Sequence, residues 1–380
     1  MNKSNGPISR WAWAEVDLDA ITHNVGQLRI AAEPAEVWAV VKADGYGHGS
    51  VEVSRAALTA GAVGLCVALV SEGVVLRRAG IDAPILVLSE QPPESLADLV
   101  AHDLIATIST ADGIDRLAAA VVNSGAATHR VHLKVDTGMH RVGARPEEVP
   151  ALVARIATLA PTLRLDGVFT HLAVADEPQN PYIDAQLAQF DAVLAELPNL
   201  DELAVHAANS AATLSRPDAR RTLVRPGIAV YGISPGAALD EVAATLRPAL
   251  SLKARVSFVK RLVAGDRLSY GLRHTMAAPA NVATVPIGYA DGVRRNLSGT
   301  GATVLIDGTR REIIGTITMD QVMVDCGDDP VAVGDEVVLL GRQGDEVIRA
   351  EEWASTLGTI GYEVVCGIGP RVPRRYVSGP

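Results

Sequence analysis

The sequence predicts an α/β chain with two domains. The first is an N-terminal (β/α)8 TIM-type barrel over residues 12–245, and the second is a C-terminal all-β domain over residues 246–380, on which residues 1–11 could also pack. The chain has 380 residues, more than one typical domain, and a barrel takes about 250 of them. Up to about residue 245, short apolar runs alternate with amphipathic stretches, whereas β-rich segments follow one another beyond it.

The first domain contains eight apolar runs of strand length with helical patterns between them. The strands are predicted over residues 37–41, 63–69, 84–88, 104–108, 130–135, 165–171, 203–206 and 223–231, and the helices over 51–60, 71–78, 111–123, 146–159 and 185–197. Eight such strands favour a closed barrel. An open doubly wound sheet is the alternative, but the sequence lacks the Gly-x-Gly-x-x-Gly fingerprint after a first strand.

The second domain consists of short β segments separated by turn signals such as Asp307-Gly308, Gly327-Asp328 and Gly344-Asp345. A single helix is predicted over residues 350–357. The predicted strands cover residues 251–262, 281–286, 303–306, 311–317, 321–325 and 335–340.

The composition excludes several classes of protein. Hydrophobic residues make up 48% of the chain and charged residues 21%, which is typical of a soluble globular protein. The formal charge of −10 argues against a nucleic-acid partner. Three widely spaced cysteines predict neither a disulfide framework nor a metal site. No signal peptide or membrane-length apolar run is found, so we expect a cytoplasmic protein that binds no membrane.

The first predicted strand ends at Lys42, and a loop with three glycines follows it. A buried lysine loses solvation, which lowers its pKa and makes the amine a nucleophile that can form a Schiff base. Lysines are rare here, because only five occur among 34 basic residues. Lys42 is therefore predicted to be functional.

Other polar residues also stand at the ends of predicted strands, where the chemistry of a barrel gathers. Taken singly, His171 could be a buried core histidine, Ser210 a helix N-cap and Arg225 a member of a structural ion pair. Lys134 could be a solvent-facing strand residue. Taken together, these side chains point to one site at the mouth of the barrel.

The motifs in these positions resemble those of the alanine racemases in order and spacing. The resemblance covers essentially the whole chain, and the matching segments are AVVKADGYGHG (39–49), LKVDTGMHRVG (133–143), TH (170–171), HAANS (206–210), VRPGIAVYG (224–232), LSYG (268–271), IGYADG (287–292), TMDQ (318–321) and GYE (361–363). The resemblance implies a pyridoxal-phosphate enzyme of fold type III that interconverts L- and D-alanine by two-base proton transfer.

The resemblance also implies the residues that bind the cofactor. Lys42 would hold pyridoxal 5'-phosphate as an aldimine and act as one base, and Arg225 would hydrogen-bond the pyridine nitrogen. Because guanidinium keeps its proton, it would leave the ring unprotonated and so a weaker electron sink, which favours a racemase over a decarboxylase. The remaining cofactor contacts would come from Tyr46, Arg141, His171, Asn209, Ser210, Gly227, Ile228 and Tyr362.

Tyr270 would be the second base, activated by a hydrogen-bond chain through His171 to Arg225. Arg141 and Met319 would bind the substrate carboxylate. Lys134 would be carbamylated, because its family counterpart is, and the carbamate would orient Arg141. A bare lysine beside this arginine would place two like charges in one pocket.

The family implies a homodimer in which Tyr270, Met319 and Asp320 reach the partner's barrel. It also implies a role in supplying D-alanine for peptidoglycan. The access corridor would be lined by Asp176, Tyr289, Arg295 and Ile360, and the chain departs from the common family pattern at Thr316, Thr318 and Gly361. The alternatives are a broader-specificity amino-acid racemase, a fold-type-III amino-acid decarboxylase and a non-enzymatic pyridoxal-phosphate-binding protein.

Overall fold

The computed structural model describes residues 10–378, so most of the predicted segment 1–11 lies outside the described residues. These residues form two compact units. The barrel unit contains residues 21–45 and 50–247, and the β unit contains residues 10–20, 46–49 and 248–378. Strand β1 (Ala12–Asp17) belongs to the β unit, whereas the predicted boundary places it in the first domain.

The barrel unit is a closed ring of eight parallel strands, as the sequence predicts. Two backbone hydrogen bonds join its two four-stranded sheets on one side: Val87 donates its N–H to the Ile105 carbonyl, and Ile105 donates its N–H to the Ile85 carbonyl. On the other side the Arg225 N–H donates to the Ala208 carbonyl at 2.9 Å. The strands are β2 (Glu36–Val40), β3 (Gly64–Val67), β4 (Ile85–Val87), β5 (Ala106–Ile108), β6 (His129–Lys134), β7 (Leu163–Phe169), β8 (Ala204–His206) and β9 (Leu223–Val224).

Helices connect these strands, and all five predicted helices are confirmed with small shifts of their ends. The helix Ala111–Ser124 shows why the sequence signals work. Thr110 caps its start by accepting the Gly113 N–H, and Gly125 ends it with a φ of 75°. The α-helices are Leu18–Ala32, Ser50–Thr59, Val70–Arg78, Leu96–Ala101, Ala111–Ser124, Val149–Thr158, Tyr182–Ala195, Ser210–Ser215 and Asp240–Ala243.

The eighth barrel strand is much shorter than the predicted segment 223–231. It ends at Val224, and Ile228–Tyr231 forms a 3-10 helix instead. Pro226 cannot donate a hydrogen bond to a neighbouring strand, so the apolar run cannot continue as a strand through it. Arg225 and Gly227 therefore lie on the loop that follows the strand.

The β unit is built on one ten-stranded sheet in which β1 lies between β10 (Leu250–Arg255) and β20 (Arg374–Val377). The predicted strand 251–262 is two strands, because the chain leaves β10 before β11 (Phe258–Leu262). The other strands of this sheet are β14 (Ala280–Val285), β15 (Thr303–Ile306), β16 (Thr309–Ile314), β17 (Val322–Asp325), β18 (Glu336–Gln343) and β19 (Glu346–Ile348).

A small hairpin completes this unit and carries the segment 269–273. Its strands are β12 (Arg267–Leu268) and β13 (His274–Thr275), and its Leu268 packs in an apolar cluster with Val282 and Ile314. The unit also contains the helices Ala350–Leu357, as predicted, and Gly361–Cys366. None of the helices within residues 10–378 has the length and apolar content needed to cross a membrane.

Candidate active site

Lys42 lies at the carboxyl end of β2 and is half-buried. Val41, just before it, donates its N–H to the carbonyl of Cys66 on β3 at 2.9 Å. Burial raises the pKa of the Cys66 thiol to about 12, although the positive charges of Arg225 and Lys42 act in the opposite direction. Cys66 is therefore a neutral thiol beside the lysine, and it is no nucleophile at neutral pH.

The backbone after Lys42 forms a left-handed turn. The φ angles of Ala43, Asp44, Gly45 and Tyr46 are 53°, 51°, 62° and 51°, and three of these residues are not glycine. This conformation costs roughly 1–2 kcal/mol per residue with a Cβ, so it persists only where surrounding contacts hold it. Two such contacts are hydrogen bonds: Gly45 donates its N–H to the Val41 carbonyl, and Ser50 donates its N–H to the Asp44 carboxylate.

Arg225 lies at the centre of the barrel mouth, with only 4% of its surface exposed. One terminal nitrogen of its guanidinium donates to the Thr170 carbonyl at 2.9 Å and to the Ala207 carbonyl at 3.2 Å. The other donates to His206 Nδ1 at 2.5 Å. Burial lowers the pKa of Arg225 to about 10, which leaves it charged at neutral pH. Arg225 is thus a cation held in one orientation.

A second histidine extends this contact. His206 Nε2 lies 2.9 Å from Nδ1 of His132, and both rings are buried. Because guanidinium can only donate, His206 Nδ1 must accept, so the His206 proton is on Nε2 and points at His132. Burial, reinforced by the charge of Arg225, lowers the pKa of His132 to about 3 and that of His206 well below its ordinary value. Both histidines are neutral, and each has a defined tautomer.

Sequence reasoning missed this histidine pair as part of the site. A signal was present, because His132 stands two residues before Lys134 on β6 and so faces the same side of the strand. His206 is the last residue of β8, and Lys42 comes just after β2, so both lie at the carboxyl ends of parallel strands. Two histidines on buried parallel strands, at the ends that face a predicted site, indicate a pair behind it.

His171 lies next to Arg225, as predicted. Its Nδ1 is 3.5 Å from a terminal nitrogen of the Arg225 guanidinium, a long contact in which the arginine is again the donor. Burial and the charge of Arg225 hold the pKa of His171 well below its usual range. The ring is therefore neutral with its proton on Nε2. The part of the predicted relay between Arg225 and His171 is present.

Lys134 is buried, with 5% of its surface exposed, so it is not the solvent-facing strand residue of the alternative interpretation. Its ammonium lies 3.3 Å from the Leu88 carbonyl and 5.4 Å from the centre of the Phe169 ring. Burial lowers its pKa to about 8, with further contributions from Arg225, Arg141 and Lys42. Three other cations thus act on Lys134 at this end of the barrel, and such an accumulation of positive charge favours anionic ligands.

The predicted phosphate residues of the barrel unit are adjacent. The Ser210 hydroxyl accepts the N–H of Gly227 at 2.8 Å and that of Ala229 at 3.2 Å, on the loop that contains Ile228. Asn209 is the N-cap of the helix Ser210–Ser215, and its side chain accepts the Ala212 N–H. The structure brings Ser210 and Gly227 together and gives Asn209 a structural role.

In the β unit, Tyr46 and Tyr362 lie side by side. Their ring centres are 6.2 Å apart at an angle of 53°. The neighbouring Gly47 explains how this loop packs so closely. A Cβ on Gly47 would lie 2.5 Å from the Val365 carbonyl oxygen, and its φ of 80° also favours glycine.

Tyr270 lies in the β12–β13 loop and is 74% exposed. Positive φ angles of 64° and 78° at Ser269 and Gly271 flank it. The buried Thr316 accounts for the position of this loop, because its hydroxyl donates to the Tyr270 carbonyl at 2.8 Å. Ser269 in turn donates to the Thr316 carbonyl at 2.6 Å. Thr316, a departure from the common family residue, anchors the tyrosine loop in this chain.

Met319 lies on a second exposed loop of the β unit. Tyr289 and Ala290 donate their N–H groups to the carbonyls of Thr318 and Met319 at 3.0 and 3.1 Å. Arg371 holds Asp320 in an ion pair of 2.6 Å. Three predicted corridor residues, Tyr289, Arg295 and Ile360, are also exposed in this unit, and Asp176 is exposed in the barrel unit.

The chain matches alanine racemases along nearly its whole length. Residues 16–235 match the family model described as the alanine racemase N-terminal domain, and residues 249–376 match the model of the C-terminal domain. An alanine racemase of Symbiobacterium thermophilum is 49% identical over 375 residues, which make up 97% of this chain and 97% of that relative.

Solved structures give the same result. The crystal structure of alanine racemase from a D-cycloserine-producing Streptomyces lavendulae matches with a TM-score of 0.91 at 40% identity, and the match covers 98% of this chain and 99% of that chain. A histidine racemase from Leuconostoc mesenteroides matches with a TM-score of 0.88 at 30% identity, over 98% of this chain and 100% of that one. These matches, together with the closed barrel and its strand-end residues, show that the chain belongs to the alanine racemase family.

Proposed function

We propose that this protein is an enzyme that interconverts L-alanine and D-alanine. The observation that carries the proposal is the position of Arg141 and Arg225 with the lysines Lys42 and Lys134 at the carboxyl end of the barrel, where the charges of Arg225, Arg141 and Lys42 all act on Lys134. An amino-acid substrate supplies a carboxylate, and the proposed cofactor supplies a phosphate. Both are anions that such a site stabilises.

Pyridoxal 5'-phosphate fits the residues present. Lys42 provides the amine, Ser210 and Gly227 provide a hydroxyl and an amide at one place, and Arg225 provides a fixed donor for the ring nitrogen. Arg141, His171 and Ile228, with Tyr46 and Tyr362, are the further proposed contacts. When bound, the cofactor withdraws electrons from the α-carbon and so makes its proton acidic.

Two side chains would move that proton. We propose that the Lys42 amine exchanges it on one face of the α-carbon and the Tyr270 hydroxyl on the other. Tyrosine has a pKa of about 10 in water, so its phenolate needs a donor or a cation nearby. His171 suits this role, because its Nε2–H is free to donate while Nδ1 faces Arg225. Met319 and Arg141 would hold the substrate carboxylate.

Arg225 favours racemisation over decarboxylation. A carboxylate partner would accept a hydrogen bond from a protonated ring nitrogen and so strengthen the cofactor as an electron sink, whereas guanidinium can only donate a hydrogen bond to the unprotonated nitrogen. Two carbonyls and the neutral His206 set the orientation of Arg225. None of these three groups can protonate the ring nitrogen. The reaction is therefore limited to proton exchange.

Lys134 is proposed to carry a carbamate. Carbon dioxide reacts with a neutral amine, and a lysine with a pKa of about 8 is neutral in about one molecule in ten at pH 7. The added negative charge would neutralise part of the surrounding positive charge and orient Arg141. Removal of the side chain in Lys134→Ala should raise KM or lower kcat, with partial rescue by small carboxylates. An ordinary ammonium in a crystal grown with carbon dioxide at neutral pH would refute the carbamate.

The enzyme is proposed to work as a cytoplasmic homodimer that supplies D-alanine for peptidoglycan. The exposure of Tyr270 and Met319, at 74% and 51%, supports the dimer, since a base and a carboxylate-binding loop need surroundings that exclude water. A second copy of the chain would supply these surroundings. Asp176, Tyr289, Arg295 and Ile360 would then line the access corridor.

The test is a racemisation assay combined with chemical trapping. The purified protein should be yellow, and borohydride should fix the cofactor on Lys42 in a peptide map. The assay should use L-alanine beside L-serine and L-histidine, because one structural relative is a histidine racemase. Lys42→Ala should abolish activity, whereas the control Lys260→Ala, on β11, should retain it. A label on another lysine, or faster turnover of another amino acid, would contradict the proposal.

A further inference from the structure

We propose that Glu72 is a positioning residue for Lys42, because its carboxylate holds the left-handed turn that follows the lysine. The inference rests on the proposed function only for the role of Lys42. Glu72 belongs to the helix Val70–Arg78, thirty residues further along the chain, and it is half-buried.

The two oxygens of this carboxylate serve different parts of the barrel mouth. Oε2 accepts the N–H groups of Ala68 and Leu69 at 2.8 and 3.1 Å, which caps the start of its own helix. Oε1 accepts the N–H of Ala43 at 2.6 Å. A hydrogen bond to an ionised oxygen is roughly twice as strong as one between neutral groups. The residue next to Lys42 is thus tied to the β3 end of the barrel.

The turn needs such a tie because of its backbone conformation. Ala43 has φ and ψ of 53° and 49°, and Asp44 has 51° and 50°. Residues with a Cβ rarely adopt these angles, and in the absence of a restraint the segment would move to a right-handed or extended conformation. Since Ala43 shares a peptide plane with Lys42, that change would rotate the carbonyl end of Lys42 and redirect its side chain.

A residue that acts in this way controls rate more than affinity. The Lys42 amine must sit within near-attack distance of the atom it deprotonates, and a displacement of about 1 Å can cost about 100-fold in rate. Binding of the substrate carboxylate uses other proposed residues, so KM should change much less than kcat.

The chain offers a matched control in Glu148. Its Oε2 accepts the N–H of Arg145 at 2.9 Å at the start of the turn Pro146–Glu148. Glu148 therefore caps its own helical turn, as Glu72 does, but holds no second segment of the described chain. Glu148 lies outside the proposed site. Glu148→Ala should therefore lower thermal stability, by less than Glu72→Ala because it removes one accepted N–H instead of three, while kcat stays unchanged.

The experiment compares Glu72→Ala, Glu148→Ala, Ala43→Gly and the double variant Glu72→Ala/Ala43→Gly of the full-length protein. The first readout is hydrogen exchange of the peptide that covers residues 41–47. Exchange should accelerate about 10-fold or more in Glu72→Ala, the loss expected for a hydrogen bond to a charged group, and stay unchanged in Glu148→Ala. The second readout is the pair kcat and KM, where kcat should fall about 10- to 100-fold in Glu72→Ala with KM within about threefold.

The double variant separates holding the turn from capping the helix. Glycine adopts a positive φ without the Cβ penalty, so Ala43→Gly should recover at least about fivefold of the kcat lost in Glu72→Ala. If Glu72 acted only as a cap of the helix Val70–Arg78, Ala43→Gly would recover none of the lost kcat. Should Glu72→Ala fail to fold, Glu72→Gln replaces it, because its amide oxygen can serve only one of the two sets of N–H groups at a time.

Unchanged exchange over residues 41–47, or a kcat loss that Ala43→Gly does not reduce, would overturn the positioning role. A wild-type protein without racemase activity would instead overturn the proposed function. The exchange readout would then still decide whether Glu72 holds the turn.

Discussion

The two candidate bases have similar backbone conformations but differ in how far their surroundings bury them. Lys42 is followed by five consecutive residues of positive φ, and Tyr270 is flanked by Ser269 and Gly271, which also have positive φ. The lysine turn is half-buried and is held from β3 by a carboxylate. Tyr270 is 74% exposed, and the hydroxyl of Thr316 holds its main chain while leaving its ring uncovered.

This difference shows what each region still requires. On the barrel side of the lysine, Arg225, His206 and His132 form one connected buried network. The tyrosine loop has a defined backbone and no enclosure for its side chain. In the proposed homodimer, the first region would come from one chain and a second copy of the chain would enclose the second region.

The strongest test of this comparison is complementation between chains. Lys42→Ala and Tyr270→Phe homodimers should each lose activity by about 1,000-fold or more, because removal of a proton-transfer group leaves one face of the substrate without a base. After mixing and refolding, a hybrid dimer would contain one intact site. Thorough exchange should therefore restore about a quarter of wild-type activity.

Hybrid formation is checked with differently tagged subunits that co-purify. If fully exchanged hybrids are as inactive as their parents, both bases come from the same chain, and the contrast between the two regions disappears.

Arg225→Glu tests the buried side of the comparison. A carboxylate at this position would face the proposed ring nitrogen and would lose the donor to His206, so racemisation should fall about 100- to 1,000-fold. The visible spectrum of the bound cofactor should change as well. Wild-type turnover with an unchanged spectrum would show that Arg225 does not contact the ring.

The neutrality of the histidine pair can be read from the pH dependence of stability. The pKa of His132 is lowered to about 3 by burial, so below about pH 6.5 the unfolded chain binds a proton that the folded chain does not. Its contribution to the free energy of unfolding is therefore lost as pH falls through this range. In His132→Gln, the slope between pH 6 and pH 4 should be shallower by up to about 1.4 kcal/mol per pH unit. Denaturant titrations at several pH values measure it, and an unchanged slope would mean that His132 is charged in the folded protein.

The smallest expected effect concerns the exposed loop that carries Tyr270. Thr316→Val removes the hydroxyl that donates to the Tyr270 carbonyl but keeps the shape of the side chain, so we expect a loss of about 0.5–1.5 kcal/mol in stability. The kcat should fall a few-fold, since the loop keeps its other contacts. Thr318→Val is the control, because its hydroxyl contacts the Gln321 carbonyl instead. Equal effects of the two variants would show that Thr316 has no special role.

Much of the fold could be predicted from the sequence. Apolar runs bounded by turn residues located seven of the eight barrel strands closely, since buried parallel strands are apolar on both faces. The eighth was overextended because Leu223 to Tyr231 is apolar almost throughout, and the effect of Pro226 outweighs this pattern. Strand β1 was missed, because its partners β10 and β20 lie more than two hundred residues away.

The sequence predicted which residues form the site better than it predicted the contacts between them. Lys42, His171 and Arg225 were found because burying polar or charged residues at the ends of apolar strands costs free energy unless they have partners or a function. The hydrogen bond between His132 and His206 could be assigned only from the structure, in which β6 and β8 lie on opposite sides of β7. The anchoring role of Thr316 was equally hidden, because it acts on the main chain of a residue 46 positions away.

The chain of hydrogen bonds from Arg225 to His132 has a further consequence for how the enzyme responds to acidity. Its cation loses a proton only near a pKa of about 10, and its outer histidine gains one only near a pKa of about 3. Between these limits the network carries one constant positive charge. The cofactor ring would therefore experience the same electrostatic potential from this network in mildly acidic and mildly alkaline cells. A change of rate with pH would then come from other groups of the site, which are the two bases and Lys134 with its pKa of about 8.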